Sequence, residues 1–205
     1  LAAATLSAFI LFPSICLSQP AKTRWFKGNT HAHTLKSDGD SSPEDVAKWY
    51  RDNGYNFLFI TDHETITPVE ELNNVLGKTG EFAVFPGQEV TDRLDGKPYH
   101  VNGLNVSRVT MPNRGKTVVE NVQLNVDSVR ATGGIAQINH PNFGWALNAE
   151  QIGQVKNVKL FELFNGHPLV NNLGGGGSPG VEAIWDAILS RGKLLYGIAS
   201  DDVHS

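Results

Sequence analysis

The sequence is nearly free of cysteine, with Cys16 as the one example among 205 residues. This thiol lies in an apolar run near the start of the chain. The remainder of the chain can therefore form neither a disulfide nor a thiolate metal site, and it has no cysteine nucleophile. Imidazole and carboxylate groups are the metal ligands that it has available.

Blocks of basic residues are also absent, because the Lys and Arg residues are scattered and the formal net charge is -4. A surface that coats nucleic acid needs clustered positive charge. We therefore expect a small-molecule substrate and no nucleic-acid partner.

One almost continuous apolar run extends from Leu6 to Leu17 and is broken by Pro13. Its length suits the core of a signal peptide and is short for a membrane span. We predict that residues 1–18 are part of a signal peptide cleaved after Ser18, with the printed sequence beginning inside it. The mature chain is then periplasmic or secreted and has no stable membrane span. A buried first strand or helix is the alternative interpretation.

From residue 24 onward, short apolar runs alternate with amphipathic segments, which is typical of an α/β domain with mainly parallel strands. Ser42 and Pro43 predict the start of a helix that ends at Gly54. Further helices are predicted from Thr67, over 118–129 and around 184–189. The predicted strands are 25–30, 55–61, 82–85, 99–106, 135–138, 158–164 and 194–199. With 40% hydrophobic side chains, residues 19–205 are expected to form one domain.

Most of the candidate metal ligands follow directly after predicted strands. They are His31, His33, His63, Glu89, His140, Asp202 and His204. In a closed or nearly closed barrel the C-terminal ends of all strands meet at one face, so these side chains would converge. His31 and His33 are two residues apart, so on an extended strand both point the same way and can chelate one ion. Asp202 and His204 share this spacing.

Three further residues near these ligands have two interpretations. Asp38 is typical of a turn, but it lies five residues after His33 in the same loop, which favours a ligand. His100 opens a predicted strand and is either a ligand or a core histidine. Asp62 is either a ligand or, as we expect, a residue that orients His63 or another imidazole without binding metal itself.

Candidate substrate contacts are weaker. Lys36, Arg93 and Lys97 are candidates for contacts with an anion, although solvated surface charges are the simpler interpretation. Asn165 and His167 are further candidates, and His167 is equally consistent with an ordinary loop histidine. Glu162 lies inside a predicted strand and is interpreted as structural.

Taken together, five motifs resemble those of the polymerase and histidinol phosphatase (PHP) superfamily. They are HAHT with Ser37-Asp38-Gly39, Ile60-Thr61-Asp62-His63, Pro86-Gly87-Gln88-Glu89, Asn139-His140-Pro141 and Ser200-Asp201-Asp202-Val203-His204. The resemblance spans Thr30 to His204. It implies a distorted (β/α)7 barrel, with mainly parallel strands and a metal site at their C-terminal ends.

The resemblance also implies two or three divalent ions, for which a mixed imidazole and carboxylate site suits Zn, Mn or Fe. The implied ligand sets are His31, His33, Glu89 and Asp202 for one ion, Asp38, His63 and His140 for a second, and Glu89, His100 and His204 for a third. Asp201 and Asp202 both compete for the aspartate of the last motif, and the spacing to His204 favours Asp202. The chain ends one residue after His204, where such barrels continue into a covering helix, so we expect a truncated product.

The leading functional hypothesis is a metal-dependent phosphoesterase that acts on a small phosphorylated substrate. Two neighbouring cations lower the pKa of a bridging water, so the resulting metal-bound hydroxide is the expected nucleophile. The same site can attack a carboxylic ester, amide or carbamate. The export signal, Phe161-Glu162-Leu163-Phe164-Asn165 and the Asp-Asp-x-His ending are similar to the branch of the superfamily that includes carbamate-ester hydrolases. A non-catalytic metal-binding module is the alternative from another class.

Overall fold

The computed structural model describes residues 23–78 and 80–205 of the chain. The predicted signal peptide, residues 1–18, lies outside the described residues, and export stays a prediction. Within the described ranges, no helix is long and apolar enough to span a bilayer.

In the described ranges, seven strands form one sheet in the order of the chain. They are β1 (Gly28–Asn29), β2 (Phe57–Ile60), β3 (Ala83–Leu94), β4 (Lys97–Leu104), β5 (Ile135–Ile138), β6 (Leu160–Asn165) and β7 (Tyr196–Ser200). Neighbouring strands are parallel except at β4, which is antiparallel to β3 and β5. After β7, the backbone of Asp202 donates to the carbonyl of His31 (3.0 Å), and the backbone of His33 donates to the carbonyl of Val203 (2.9 Å). These bonds join the last strand to the first, so the predicted mainly parallel, nearly closed barrel is confirmed.

Five helices of the described chain pack against the strands. They are α1 (Pro43–Asp52), α2 (Glu70–Val75), α3 (Val118–Arg130), α4 (Ala149–Gln154) and α5 (Val181–Ser190). α1 begins as predicted, because the Ser42 side chain accepts a hydrogen bond from the backbone of Asp45. The six-residue α4 was not predicted, and Asn148 and Gln151 form a capping box at its start.

The apolar core lies between the helices and the strands. One cluster joins α1 and α2 to β2 and the start of β3, and a second joins α3, α4 and α5 to β3–β6. Along β4–β6, the buried polar residues Asn102, Gln137 and Glu162 alternate with core residues such as Ile138 and Phe161. Successive residues of a strand face opposite sides. One face of these strands therefore packs on helices, while the other carries polar groups inside the barrel.

The structure differs from the predicted elements most clearly at β3. The predicted strand 82–85 continues to Leu94 and returns as β4, so Glu89 lies within a strand and not after one. The connecting Asp95 and Gly96 both have positive φ, 51° and 77°. An Asp-Gly pair between two strands is a sequence signal for such a hairpin. Because β4 runs antiparallel, His100 near its beginning lies at the same end of the barrel as the ends of the parallel strands.

Candidate metal centre

The predicted ligands meet at the C-terminal ends of the parallel strands. Among the described residues, four groups of side chains have potential ligand atoms within 4.8 Å of one another. The groups are His33, Asp38, His63 and His204; His31, His33 and Asp202; His31, His140 and Glu162; and Glu89, His100 and His140. Every predicted ligand belongs to at least one of these groups. Glu162, which was not predicted as a ligand, also belongs to one of them.

Glu89 lies at the middle of the cluster and is 1% exposed. Its Oε1 lies 3.1 Å from Nδ1 of His100 and 3.3 Å from Nε2 of both His31 and His140. Its Oε2 lies 3.3 Å from Nε2 of His33 and 3.4 Å from Nδ1 of His63. The amide of Asn139 donates to Oε1 (2.7 Å), which fixes the carboxylate in place. One carboxylate that touches imidazoles of several groups has the geometry of a bridging ligand.

Asp202, and not Asp201, points into the cluster. Its Oδ1 lies 3.1 Å from Nε2 of His31 and 3.2 Å from Nε2 of His33. The carboxylate of Asp201 points away and accepts a hydrogen bond from the hydroxyl of Tyr50 (2.7 Å). The geometry therefore favours Asp202 among the two candidates that the sequence left open.

The grouping of the ligands differs from the one that the family resemblance implied. His204 lies beside Asp38 and His63, since the Nε2 atoms of both histidines are 3.4 Å from Oδ2 of Asp38. His140 lies beside Glu89 and His100, and the two imidazole rings are 4.9 Å apart. His140 and His204 thus exchange places. The physical reason is strand order: His204 follows β7, which adjoins the loop after β1, while His140 follows β5, which pairs with β4.

Outer hydrogen bonds orient three of the imidazoles. Nδ1 of His31 lies 2.8 Å from Oε1 of Glu162, Nδ1 of His63 lies 2.6 Å from Oγ1 of Thr91, and Nδ1 of His204 lies 2.9 Å from the carbonyl of Asp202. Such bonds fix the tautomer and the orientation of metal-binding histidines. In each case Nε2 is directed toward a carboxylate of the cluster.

Two buried atoms of the cluster show that the residues fit divalent ions. Oδ1 of Asp202 and Nδ1 of His100 make no hydrogen bond of acceptable geometry in the described part of the chain, although Nε2 of His31 and Oε1 of Glu89, respectively, lie 3.1 Å away. Buried polar atoms without a partner are rare in folded proteins and call for an explanation such as an ion. Both atoms belong to a donor set of imidazole nitrogens and carboxylate oxygens, which suits Zn, Mn or Fe.

Burial and neighbouring charges shift the pKa values of the metal-free cluster. Burial alone would lower the pKa of His33, but the adjacent carboxylates of Asp202 and Glu89 outweigh it and raise that pKa to about 9. Burial also opposes the rise in the pKa of His31, which the charges of Glu89 and Asp202 bring about. The pKa of Glu89 lies well below its usual value, because the charge of His31 outweighs the effect of burial. Protons on imidazoles thus supply positive charge where ions would bind.

Metal uptake by the metal-free protein near pH 7.5 is expected to release on the order of one proton or more per chain, because His33 must lose its proton to bind an ion. Since its folded-state pKa lies above 6.5, the stability that His33 gives the metal-free chain is complete below pH 6.5 and disappears as the pH rises through about 9. Metal affinity should increase over the same window. Calorimetric titration in two buffers of different ionisation enthalpy counts the protons, and uptake without release would contradict the assignment.

Asp62 supports the loop that carries Asp38. Its Oδ1 accepts from the backbone of Thr34 (2.7 Å) and the hydroxyl of Ser37 (2.8 Å), and its Oδ2 accepts from the hydroxyls of Thr34 (2.9 Å) and Thr67 (2.7 Å). Among the described residues, no imidazole is hydrogen-bonded to it. The expectation that Asp62 orients an imidazole is therefore corrected, because its bonds reach the loop after His33.

Asn165 and Glu162 lie beneath the cluster, and their role was not predicted. The amide of Asn165 donates to Glu162 (2.8 Å) and to Asp202 (2.9 Å), and the side chain is 1% exposed, so it supports carboxylates and does not face a substrate. Glu162 also accepts hydrogen bonds from the backbone of His140 (2.7 Å) and from the hydroxyl of Ser200. A carboxylate inside an apolar strand was the available signal, since a buried charge requires partners.

A cavity of about 240 Å³ opens onto the cluster. Besides the ligands, it is lined by Phe143, His167, Leu169 and Val170. His167 is part of this lining, with its ring 5.1 Å from that of His204, and its contact with a substrate stays a prediction. The basic candidates Lys36, Arg93 and Lys97 are exposed and lie outside the lining described for this cavity. The ammonium of Lys97 instead donates to the carbonyl of Trp145 (3.1 Å).

Solved structures of other proteins share this barrel. A protein from Bifidobacterium adolescentis assigned as a metal-dependent phosphoesterase has a TM-score of 0.64 and 14% identity, with 87% of this chain and 88% of that chain covered. An amidohydrolase from Chromobacterium violaceum has a TM-score of 0.61 and 14% identity, with 87% of each chain covered. A two-domain protein from Bacteroides vulgatus, containing a predicted PHP-like metal-dependent phosphoesterase, has a TM-score of 0.59 and 18% identity, with 87% of this chain and 52% of that chain covered. At these identities the likeness shows the fold.

Sequence comparison gives shorter matches. No protein-family model matches the chain. The 5'-3' exoribonuclease of Haemophilus influenzae is 29% identical over 82 residues, which cover 40% of this chain and 30% of that protein. The 5'-3' exoribonuclease Rnm of Escherichia coli is 29% identical over 83 residues, covering 40% of this chain and 28% of the relative. The chain thus spans less than a third of the length of these curated relatives.

Proposed function

We propose that the protein is a metal-dependent phosphoesterase of the PHP superfamily that acts on a small phosphorylated substrate. The observation that carries this proposal is the buried Glu89 carboxylate, which lies within 3.4 Å of imidazoles from four different parts of the barrel. The shared barrel supports it, as do the names of two similar structures and of the exoribonucleases, all of which denote cleavage of phosphoesters.

The chain's own residues would hold two or three divalent ions, Zn, Mn or Fe. We assign His31, His33, Glu89 and Asp202 to one ion, Asp38, His63 and His204 to a second, and Glu89, His100 and His140 to a third. Bound ions of this kind lower the pKa of water to supply a hydroxide, and they stabilise negative charge on a phosphoryl group. Asn139 and Asn165 hold the Glu89 and Asp202 carboxylates, so the ligands are already oriented before substrate arrives.

The cavity beside the ligands supports a compact, apolar group on the substrate. Phe143 packs against the ligands of the third ion, with its ring 5.7 Å from His100 and 5.4 Å from His140. Leu169 and Val170 line the same cavity. A volume of about 240 Å³ is below the usual range for drug-sized ligands, so it favours a small substrate.

Phe143→Ala is expected to lower kcat/KM about tenfold for phenyl phosphate, because an apolar contact worth about 1.4 kcal/mol is lost. Methyl phosphate is too small to contact the ring of Phe143. The variant should therefore cleave it at the wild-type rate, and its metal content should not change. Phe26→Ala is the matched control, since Phe26 lines a separate cavity near the start of β2. An equal loss of kcat/KM on phenyl phosphate and methyl phosphate would contradict a contact between Phe143 and the apolar group of the substrate.

Inorganic phosphate is expected to inhibit competitively, because it resembles both the product and the reacting group. His100→Ala should lose about one ion and abolish this inhibition, since His100 is assigned to the third ion and contacts Glu89 at 3.1 Å. Steady-state kinetics with an aryl phosphate, together with elemental analysis, measure both effects. Phosphate inhibition that survives in His100→Ala would move the phosphoryl-binding position to another group.

A carboxylic ester, amide or carbamate hydrolase is the second candidate, which the likeness to an amidohydrolase favours. Faster cleavage of an aryl acetate than of the matching aryl phosphate, with indifference to inorganic phosphate, would support it. A 5'-phosphorylated RNA oligonucleotide belongs in the same panel, because the curated relatives are exoribonucleases. Preference for RNA would overturn the expectation that nucleic acid is not a partner. Stoichiometric metal binding with no turnover of any substrate would leave a non-catalytic metal-binding module.

A further inference from the structure

Asp202 adopts a backbone conformation that is uncommon for residues other than glycine. Its φ is 49°, in the left-handed region that Asp and Asn enter more often than most other side chains, as single residues with local support. The same residue directs Oδ1 at Nε2 of His31 and of His33. Strained residues persist only where the surrounding structure fixes them. The residues that hold this turn therefore control where a metal-binding oxygen lies.

The residue before Asp202 is held by both its backbone and its side chain. The backbone N–H of Asp201 donates to Oδ1 of Asn29 (3.1 Å), and Oδ2 of Asp201 accepts from the hydroxyl of Tyr50 (2.7 Å). The hydroxyl of Tyr55 is a more distant donor to the same oxygen, at 3.4 Å. Two elements, β1 and α1, thus fix the segment after β7.

Asn29 connects this arrangement to the first pair of ligands. Its amide donates to the hydroxyl of Tyr50 (2.7 Å) and to the carbonyl of His31 (2.8 Å). Asn29 is 1% exposed and Tyr50 is 2% exposed, so water does not compete for these bonds. The bonds form a closed set, because Asn29 contacts Tyr50, Tyr50 contacts Asp201, and Asp201 contacts Asn29.

We propose that Asn29, Tyr50 and Asp201 form a positioning triad, which holds Asp202 and His31 in the relative positions that one metal ion requires. None of the three is a ligand; they act through Asp202 and His31. This proposal rests on the proposed function in one respect, because it treats the bound ion as part of the catalytic centre. The ion held by His31, His33, Glu89 and Asp202 should depend on the triad, whereas the ion held by Glu89, His100 and His140 should not.

Tyr50 belongs to α1 and its ring packs in the apolar core, so a large truncation would confound positioning with stability. Tyr50→Phe keeps the ring and removes only the hydroxyl that links Asn29 to Asp201. Tyr99→Phe is the matched control, because its equally buried ring carries a hydroxyl that donates to the carbonyl of Leu94, in the β3–β4 hairpin. Asp201→Ala is a second variant, at a partly exposed position where folding should survive.

The test is a titration of the metal-free full chain with Zn²⁺ against a competing chelator, which gives the stepwise affinities, together with kcat and KM. Tyr50→Phe and Asp201→Ala should weaken one Zn²⁺ step 10- to 100-fold, the usual effect of losing an outer partner of a ligand. The other steps should be unchanged, and kcat should fall at saturating substrate with little change in KM. Tyr99→Phe should match the wild type in every step.

Wild-type Zn²⁺ affinities in both variants would overturn the proposal, as would an equal weakening of all steps. A lower melting temperature with unchanged Zn²⁺ steps would show a purely structural role and also overturn it. Should Tyr50→Phe fail to fold, the Asp201→Ala titration decides alone. Because the Zn²⁺ steps are measured without substrate, a selective loss supports the triad even when no phosphoester is hydrolysed.

Discussion

Glu89→Gln is expected to remove more than one ion per chain and to lower kcat/KM by roughly 10²- to 10⁴-fold. Gln keeps the volume of the side chain but removes the charge that faces the surrounding imidazoles at 3.1 to 3.4 Å. Removing one partner from a buried ionic contact costs about 3–5 kcal/mol, which corresponds to that range of rates. Elemental analysis and steady-state kinetics on one preparation measure both effects.

Glu182→Gln is the control for this substitution, since Glu182 is exposed in the first turn of α5. It makes the same chemical change away from the metal centre and should leave both readouts at wild-type values. Retention of full metal stoichiometry and rate in Glu89→Gln would show that Glu89 does not bridge ions. A loss of rate with full metal content would limit its role to orienting the substrate or water.

Removing the metal is expected to lower the melting temperature by about 10–20 °C. Each ion present at a hundred times its dissociation constant stabilises the folded chain by about 2.7 kcal/mol, and 1 kcal/mol shifts a domain of this size by about 2–4 °C. Two ions therefore give a shift of this order. Differential scanning calorimetry of the protein with and without chelator measures it.

The shift on metal removal should increase with pH. The metal-free cluster is partly stabilised by protonated His33, and this contribution disappears as the pH rises through about 9. Restoring Zn²⁺ should restore the melting temperature, while an equal ionic strength of NaCl should not. A metal-free protein that melts at the same temperature as the loaded one would exclude a metal centre at this cluster.

The sequence predicted the position of most ligands because that information is local. A two-residue spacing on an extended segment directs two imidazoles to one side, and residues after parallel strands meet at one end of a barrel. Neither rule depends on which strands are neighbours. The assignment of His140 and His204 to particular ions does depend on which strands are neighbours, and the expected assignment differed from the structure.

The supporting residues were harder to predict from the sequence, because their hydrogen bonds connect distant parts of the chain. The contact between His31 and Glu162 joins positions 131 residues apart, and that between Tyr50 and Asp201 joins positions 151 residues apart. No short pattern contains both partners of such a pair. The β3–β4 hairpin was different, since Asp95-Gly96 was a local signal. That turn reverses the chain and so places His100, near the beginning of β4, at the end of the barrel where the other ligands lie.

The closure of the barrel has a consequence for the order of folding. Asn29 and Asp201, which are hydrogen-bonded where the last strand meets the first, are 172 residues apart. Bringing such distant segments together has a large entropic cost and slows folding. On the ribosome, the site formed by His31, His33, Glu89 and Asp202 cannot be complete until residue 202 has been synthesised. Metal capture should therefore be a late event, and the ions should act chiefly by slowing unfolding once the barrel has closed.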